Sequence, residues 1–104
     1  MSFTRYDNTK SPKLKAVIVE HVLISCIEGI SICELSLKTQ IILPLPNRCL
    51  KRYLFYLINY ELVSYDGQRQ LYITEAGGLD LLYVINKEKN MAMANIEDIV
   101  ITIE

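Results

Sequence analysis

Between Leu50 and Leu62 the apolar residues Leu50, Tyr53, Leu54, Leu57, Ile58 and Leu62 recur at three- and four-residue intervals. At roughly 100° per residue, that spacing gathers them on one side of a helix. Arg48, Lys51, Arg52, Phe55, Tyr56 and Asn59 fall on the other side, and no carboxylate occurs between Glu34 and Glu61. The pattern predicts a helix from Pro46 to about Glu61, packed on one face and basic on the other. Pro44 and Pro46 end any helix before them and set the entry to this one.

Upstream, Ile18, Val19, Val22, Leu23, Cys26 and Ile27 form a broader stripe, with Val17 and Ile24 outside it. Ser11 as a cap and Pro12 in the first turn predict a helix from Pro12 to about Glu28, closed by Gly29. Ser31 followed by Glu34 has the spacing of a capping box, which predicts a second helix from Ile32 to about Gln40. Beyond the third helix, two β-prone runs, Leu62 to Tyr65 and Gln70 to Thr74, flank Asp66-Gly67. That is a hairpin signal, and the loop takes in Gln68 and Arg69. Thr74 then caps a fourth helix from Glu75 to about Lys89, in spite of Gly77 and Gly78 near its start.

Residues 1–11 hold little to bury and read as a flexible arm, residues 12–89 as one domain, and residues 90–104 as a tail. The tail is too apolar to be solvated: Ile99 to Ile103 is a β-branched run that favours a strand, while Met91 to Ile96 suit an extension of the fourth helix. With 104 residues the chain supplies one modest core. Burying both Leu79 to Ile85 and Ile96 to Ile103 in that core asks too much of it. The expected remedy is a symmetric homodimer through the last helix and tail.

Charge is spread unevenly along the chain. The net charge is −1, yet residues 35–60 carry Lys38, Arg48, Lys51 and Arg52 with no acid, whereas residues 61–104 hold three basic and eight acidic groups. A protein that coats polyanions indiscriminately is basic throughout; this one is basic in a single patch. No apolar run reaches the roughly 18 residues needed to span a bilayer. Met1 to Ser11 is polar and lacks the layout of a signal peptide, so a soluble, cytoplasmic protein is expected.

Little else carries chemistry. Cys26, Cys33 and Cys49 have no metal-ligand spacing and read as small buried hydrophobes. His21 reads as structural, and Phe55 and Tyr56 as packing residues. No Gly-rich phosphate loop and no nucleophile–base pairing is visible, so no catalysis, no metal and no cofactor is expected.

The order helix, helix, helix, two-stranded hairpin, helix resembles the winged helix-turn-helix domain. Glu34-Leu35-Ser36-Leu37-Lys38-Thr39 looks like the second helix of such domains. Leu50-Lys51-Arg52-Tyr53-Leu54, followed by Leu57 and Glu61-Leu62-Val63, is similar to the family's recognition helix and its exit into the wing. Tyr72-Ile73-Thr74-Glu75-Ala76-Gly77 looks like the motif that closes the wing and opens the last helix. The resemblance covers about residues 13–89 and is nearest to the small regulators of archaea and their viruses, in which a final helix often mediates dimerisation.

It implies an α+β, mostly helical fold with a two-stranded wing and a C-terminal helix plus tail. It also implies a nucleoid-associated, dimeric transcriptional regulator that binds double-stranded DNA sequence-specifically, the third helix lying in the major groove. Asn47, Arg48, Lys51 and Arg52 occupy the first two turns of that helix, and Arg69 the wing tip, as the DNA-binding set. Lys10, Lys13 and Lys15 are further candidates for backbone phosphates. The rival reading is a winged-helix scaffold for protein–protein contacts without DNA binding.

Overall fold

Three helices, a hairpin and a fourth helix follow one another in a computed structural model that describes residues 13–92, 96 and 99–102. Ser11, Pro12 and Lys10, with the proposed arm, lie outside the described residues. The fold is α+β and mostly helical. Its elements are β1 (Lys13–Lys15), α1 (Ala16–Ser25), α2 (Ile32–Ile42), α3 (Asn47–Asn59), β2 (Val63–Asp66), β3 (Leu71–Thr74), α4 (Ala76–Ala92) and β4 (Val100–Thr102). No described helix is long and apolar enough to cross a membrane.

α1 is the centre of the molecule. Val17, Ile18, Val19, Val22 and Ile24 are β-branched and poor helix formers. Packing outweighs that preference, because α1 is in contact with α2, α4 and β1 and buries Ala16, Val19, Val22 and Leu23 completely. A helix apolar on most sides belongs in an interior. α1 starts at Ala16 and not at Pro12 as the sequence suggests. Lys13-Leu14-Lys15 is instead a strand whose exposure alternates, with Leu14 buried between two exposed lysines.

The partner of β1 explains the correction. β4 pairs antiparallel with it, Leu14 opposite Ile101, and the Ala16 amide donates to the Ile99 carbonyl at 2.9 Å. Ile96, Ile99 and Ile101 pack on the core together with Leu81 and Leu82, and Ile85 is buried. Ile96, Ile99 and Ile101 are therefore covered within one chain without a second subunit, whereas Val100 is exposed and Ile103 lies outside the described residues. α4 still presents Leu79, Tyr83, Val84 and Met91 to solvent.

Local signals place the remaining elements. Ser31 Oγ accepts the Glu34 amide at 3.2 Å, the capping bond expected at the start of α2. After α3, the Leu62 amide donates to Leu57 O and the Glu61 amide to Ile58 O, with Glu61 at φ 62°. This is a Schellman closure, with Leu57 and Leu62 as its apolar pair.

β2 and β3 pair antiparallel from Val63↔Thr74 to Asp66↔Leu71, leaving Gly67 to Gln70 as the loop. Ile30 adds an isolated bridge to Tyr72 beside them. α4 begins at Ala76, and the Thr74 hydroxyl is spent elsewhere than on its cap. It donates to the Leu23 carbonyl at 2.6 Å, while the Thr74 amide donates to Cys26 O at 2.9 Å. The hairpin thus satisfies the Leu23 carbonyl at the end of α1 and shares the Cys26 carbonyl with the Gly29 amide.

Gly78 is dictated by this junction. A Cβ there would stand 2.4 Å from the Leu62 carbonyl oxygen and 2.7 Å from Thr74 Cγ2. Only glycine lets α4 approach the root of the hairpin so closely.

Candidate nucleic-acid interface

α3 turns Leu50, Leu54 and Leu57 into the core and leaves Asn47, Arg48, Lys51, Arg52, Phe55 and Asn59 exposed. Tyr56, placed on the open side by its spacing but read as a packing residue, is half-buried against the core. Phe55, expected to pack, is 59% exposed. Two rings at successive positions sit about 100° apart on a helix, enough to divide them between the two environments.

The turn into α3 is tied down from both sides. Gln40 Nε2 donates to the Leu45 carbonyl at 3.0 Å, and Ser36 Oγ donates to Asn47 Oδ1 at 2.5 Å. Leu43 and Leu45 pack on the core, which accounts for the apolar, proline-containing character of this turn. The Lys15 amide donates to the Tyr53 hydroxyl at 3.0 Å, fastening β1 to the middle of α3. An open cavity of about 440 Å³ between α2 and α3 runs beneath Asn47 and Lys51, with Ile32, Leu37 and Leu50 in its lining.

The four cations of residues 35–60 do not act as one patch. Arg48, Lys51 and Arg52 lie together on the first two turns of α3, and none forms an ion pair among the described residues. Lys38 lies on the other side of α2, lining the groove toward α1 beside His21. There His21 Nε2 lies 2.9 Å from Thr39 Oγ1, whose own hydrogen goes to the Leu35 carbonyl at 2.7 Å. Nε2 is accordingly the donor of that pair. Burial, and then the Lys38 ammonium, lower the pKa of His21 below its ordinary 6.5. This is a structural histidine.

The tip of the β2–β3 hairpin differs from α3. Arg69 Nε donates to Asp66 Oδ2 at 2.8 Å, and Asp66 Oδ1 accepts the Gln68 and Arg69 amides at 3.0 and 3.3 Å. The side-chain and backbone hydrogen bonds from Arg69 hold the Asp66 carboxyl below the usual range. Arg69 remains accessible, but an adjacent carboxylate offsets its charge. Lys13 and Lys15 project from β1 and are exposed.

The cysteines divide as well. Cys26 is buried, its thiol pushed up to about 12 by desolvation, whereas Cys33 is exposed and Cys49 partly so. The expectation of three buried thiols holds for Cys26 alone. Cys33 and Cys49 sit on helix faces that no other element covers completely, which neighbouring residue types do not reveal. Among the described residues no group of His, Cys, Asp and Glu is arranged to hold a metal.

Comparison with known protein families, curated proteins and solved structures finds no match to this chain.

The residue that sequence reasoning passed over is Ser36, which orients Asn47. A serine eleven residues before an asparagine gives no signal until the two helices are packed.

Proposed function

We propose that this chain is a winged helix-turn-helix protein that binds double-stranded DNA as a homodimer and regulates transcription, with α3 in the major groove. One observation carries the reading. The first two turns of α3 offer an amide, two guanidinium groups and an ammonium to solvent, without a carboxylate among them and, among the described residues, without an ion pair on the cations. Arginine forks match the acceptor edge of guanine, and all three cations suit phosphates. The hairpin after α3 supports the same assignment by its place in the chain. The dimer contact is assigned to the outer face of α4, where Leu79, Tyr83 and Val84 are exposed. Two copies whose α3 helices lie roughly 34 Å apart would meet successive major grooves.

The scaffold reading draws on the Arg69–Asp66 pair, which leaves the wing without a free cation. Titrating a mixed-sequence duplex with the chain at increasing salt separates the two. A DNA-binding surface loses affinity with a log–log slope of about −0.9 per phosphate contact. Failure to bind duplex at low salt removes the regulator and leaves the scaffold. Sedimentation of a Leu79→Ser, Tyr83→Ser variant tests the α4 contact: a monomer is expected, and an unchanged dimer moves the interface elsewhere.

A further inference from the structure

The open face of α3 is polar except at one position. Arg48, Arg52, Phe55 and Asn59 follow one another at intervals of four, three and four residues, a single stripe along the helix. All four are exposed. Phe55 has no apolar neighbour on that stripe. Its ring is held edge-on by Tyr56, with centroids 5.7 Å apart and planes at 65°, and Tyr56 itself packs on the core.

A surface built only to neutralise phosphates has no use for such a ring, since a hydrated anionic backbone gives a phenyl group nothing to bury against. Within the major groove, the apolar feature on offer is the 5-methyl group of thymine. Phe55 lies seven residues beyond Arg48, about 10 Å along the helix axis, or about three base-pair steps of 3.4 Å.

We infer that Phe55 is a specificity-determining residue that reads thymine methyl groups, so that the preferred duplexes carry a thymine about three base pairs from the base or phosphate held by Arg48. The inference rests on the DNA-binding reading above. It adds what that reading lacks, a contact that separates one base from another by shape and not by charge.

The test uses the full chain to select duplexes from a random-sequence pool, then replaces each thymine of a selected duplex singly by uracil, which lacks only the methyl. At one or two positions the change is expected to weaken binding about four-fold. That is one methyl group at about 0.8 kcal/mol, with 1.4 kcal/mol per factor of ten. Phe55→Ala is expected to bind thymine and uracil duplexes equally while keeping the wild-type salt slope. Phe55→Leu is expected to keep part of the preference.

Equal binding of thymine and uracil duplexes at every position by the wild type, with salt-dependent binding intact, overturns the inference and leaves DNA binding standing. So does a Phe55→Ala variant that still discriminates, or one whose only change is its oligomeric state, which would make the ring a subunit contact. Absence of any bound duplex at low salt overturns the DNA reading and this inference together.

Discussion

At the root of the hairpin, Gly78 leaves no room for even one carbon beside the Leu62 carbonyl, and the Thr74 hydroxyl and amide end on the carbonyls of Leu23 in α1 and of Cys26 just past its end. On the outer face of α3, by contrast, Arg48, Lys51, Arg52 and Phe55 stand exposed, and the three cations have no ion-pair partner among the described residues. The first region holds four elements in one arrangement; the second depends on that arrangement and contributes little to it. Binding residues that are free of the fold can be changed without unfolding it, and the converse holds for the junction. This separation is open to direct attack.

The largest effect is expected at Gly78. Gly78→Ala forces the carbonyl of Leu62 and the methyl of Thr74 apart, and is expected to cost about 3 kcal/mol or more, read as a fall of more than about 10 °C in Tm. Gly77→Ala, one residue earlier, meets nothing closer than Leu62 Cδ2 at 3.4 Å. Relief of the glycine penalty within a helix should stabilise it by up to about 1 kcal/mol. Adjacent glycines with opposite responses would mark the junction as a packing constraint. The same sign at both would remove it.

Thr74→Val keeps the shape and removes the hydroxyl, leaving the Leu23 carbonyl without the bond at 2.6 Å. A loss of about 1–3 kcal/mol is expected in denaturant unfolding, with Thr74→Ser recovering most of it. On the other side of the comparison, Arg48→Ala and Arg52→Ala should leave stability within about 0.5 kcal/mol of wild type. Each should weaken duplex binding by about 1–3 kcal/mol or, for a phosphate contact, lower the salt slope by about one. Arg69→Ala should do much less, because Asp66 already engages that guanidinium. A larger effect at Arg69 than at Arg48 or Arg52 would transfer the interface from α3 to the β2–β3 hairpin.

What could be read from the chain follows the range of each interaction. The Ser31–Glu34 cap, the prolines before α3 and the Asp66-Gly67 turn act within a few residues, and each is found where its spacing puts it. The strand β1 was not legible, because Lys13-Leu14-Lys15 has three residues and its pairing partner begins at Val100. For the same reason the β-branched tail could be read as a strand while its destination on β1 could not. Within the candidate site the cations were legible as composition. Their division into three on α3 and Lys38 beside His21 depends on how α2 packs. The Arg69–Asp66 pair was closer to legibility: an aspartate that accepts amides two and three residues ahead is a local turn habit, and it draws the arginine in with it.

The smallest expected effect concerns the groove behind α2. His21 is pressed by burial and by Lys38 toward its neutral form, and the Glu20–Lys89 ion pair at 3.0 Å lies on the same side of α1. Its folded pKa lies below the ordinary 6.5, so the unfolded chain takes up the proton first as pH falls. The stability associated with neutral His21 is therefore complete above that value and is lost progressively below it. His21→Gln retains a donor for Thr39 Oγ1 and cannot titrate. Denaturant midpoints measured between about pH 5 and pH 7.5 should decline toward acid more steeply for wild type than for this variant. DNA-binding affinity, corrected for the fraction folded, should not share that difference, because His21 faces α2 from behind and α3 from nowhere. An acid-sensitive affinity that vanishes in His21→Gln would instead couple the groove to the face of α3, and would break the separation between the part that folds and the part that binds.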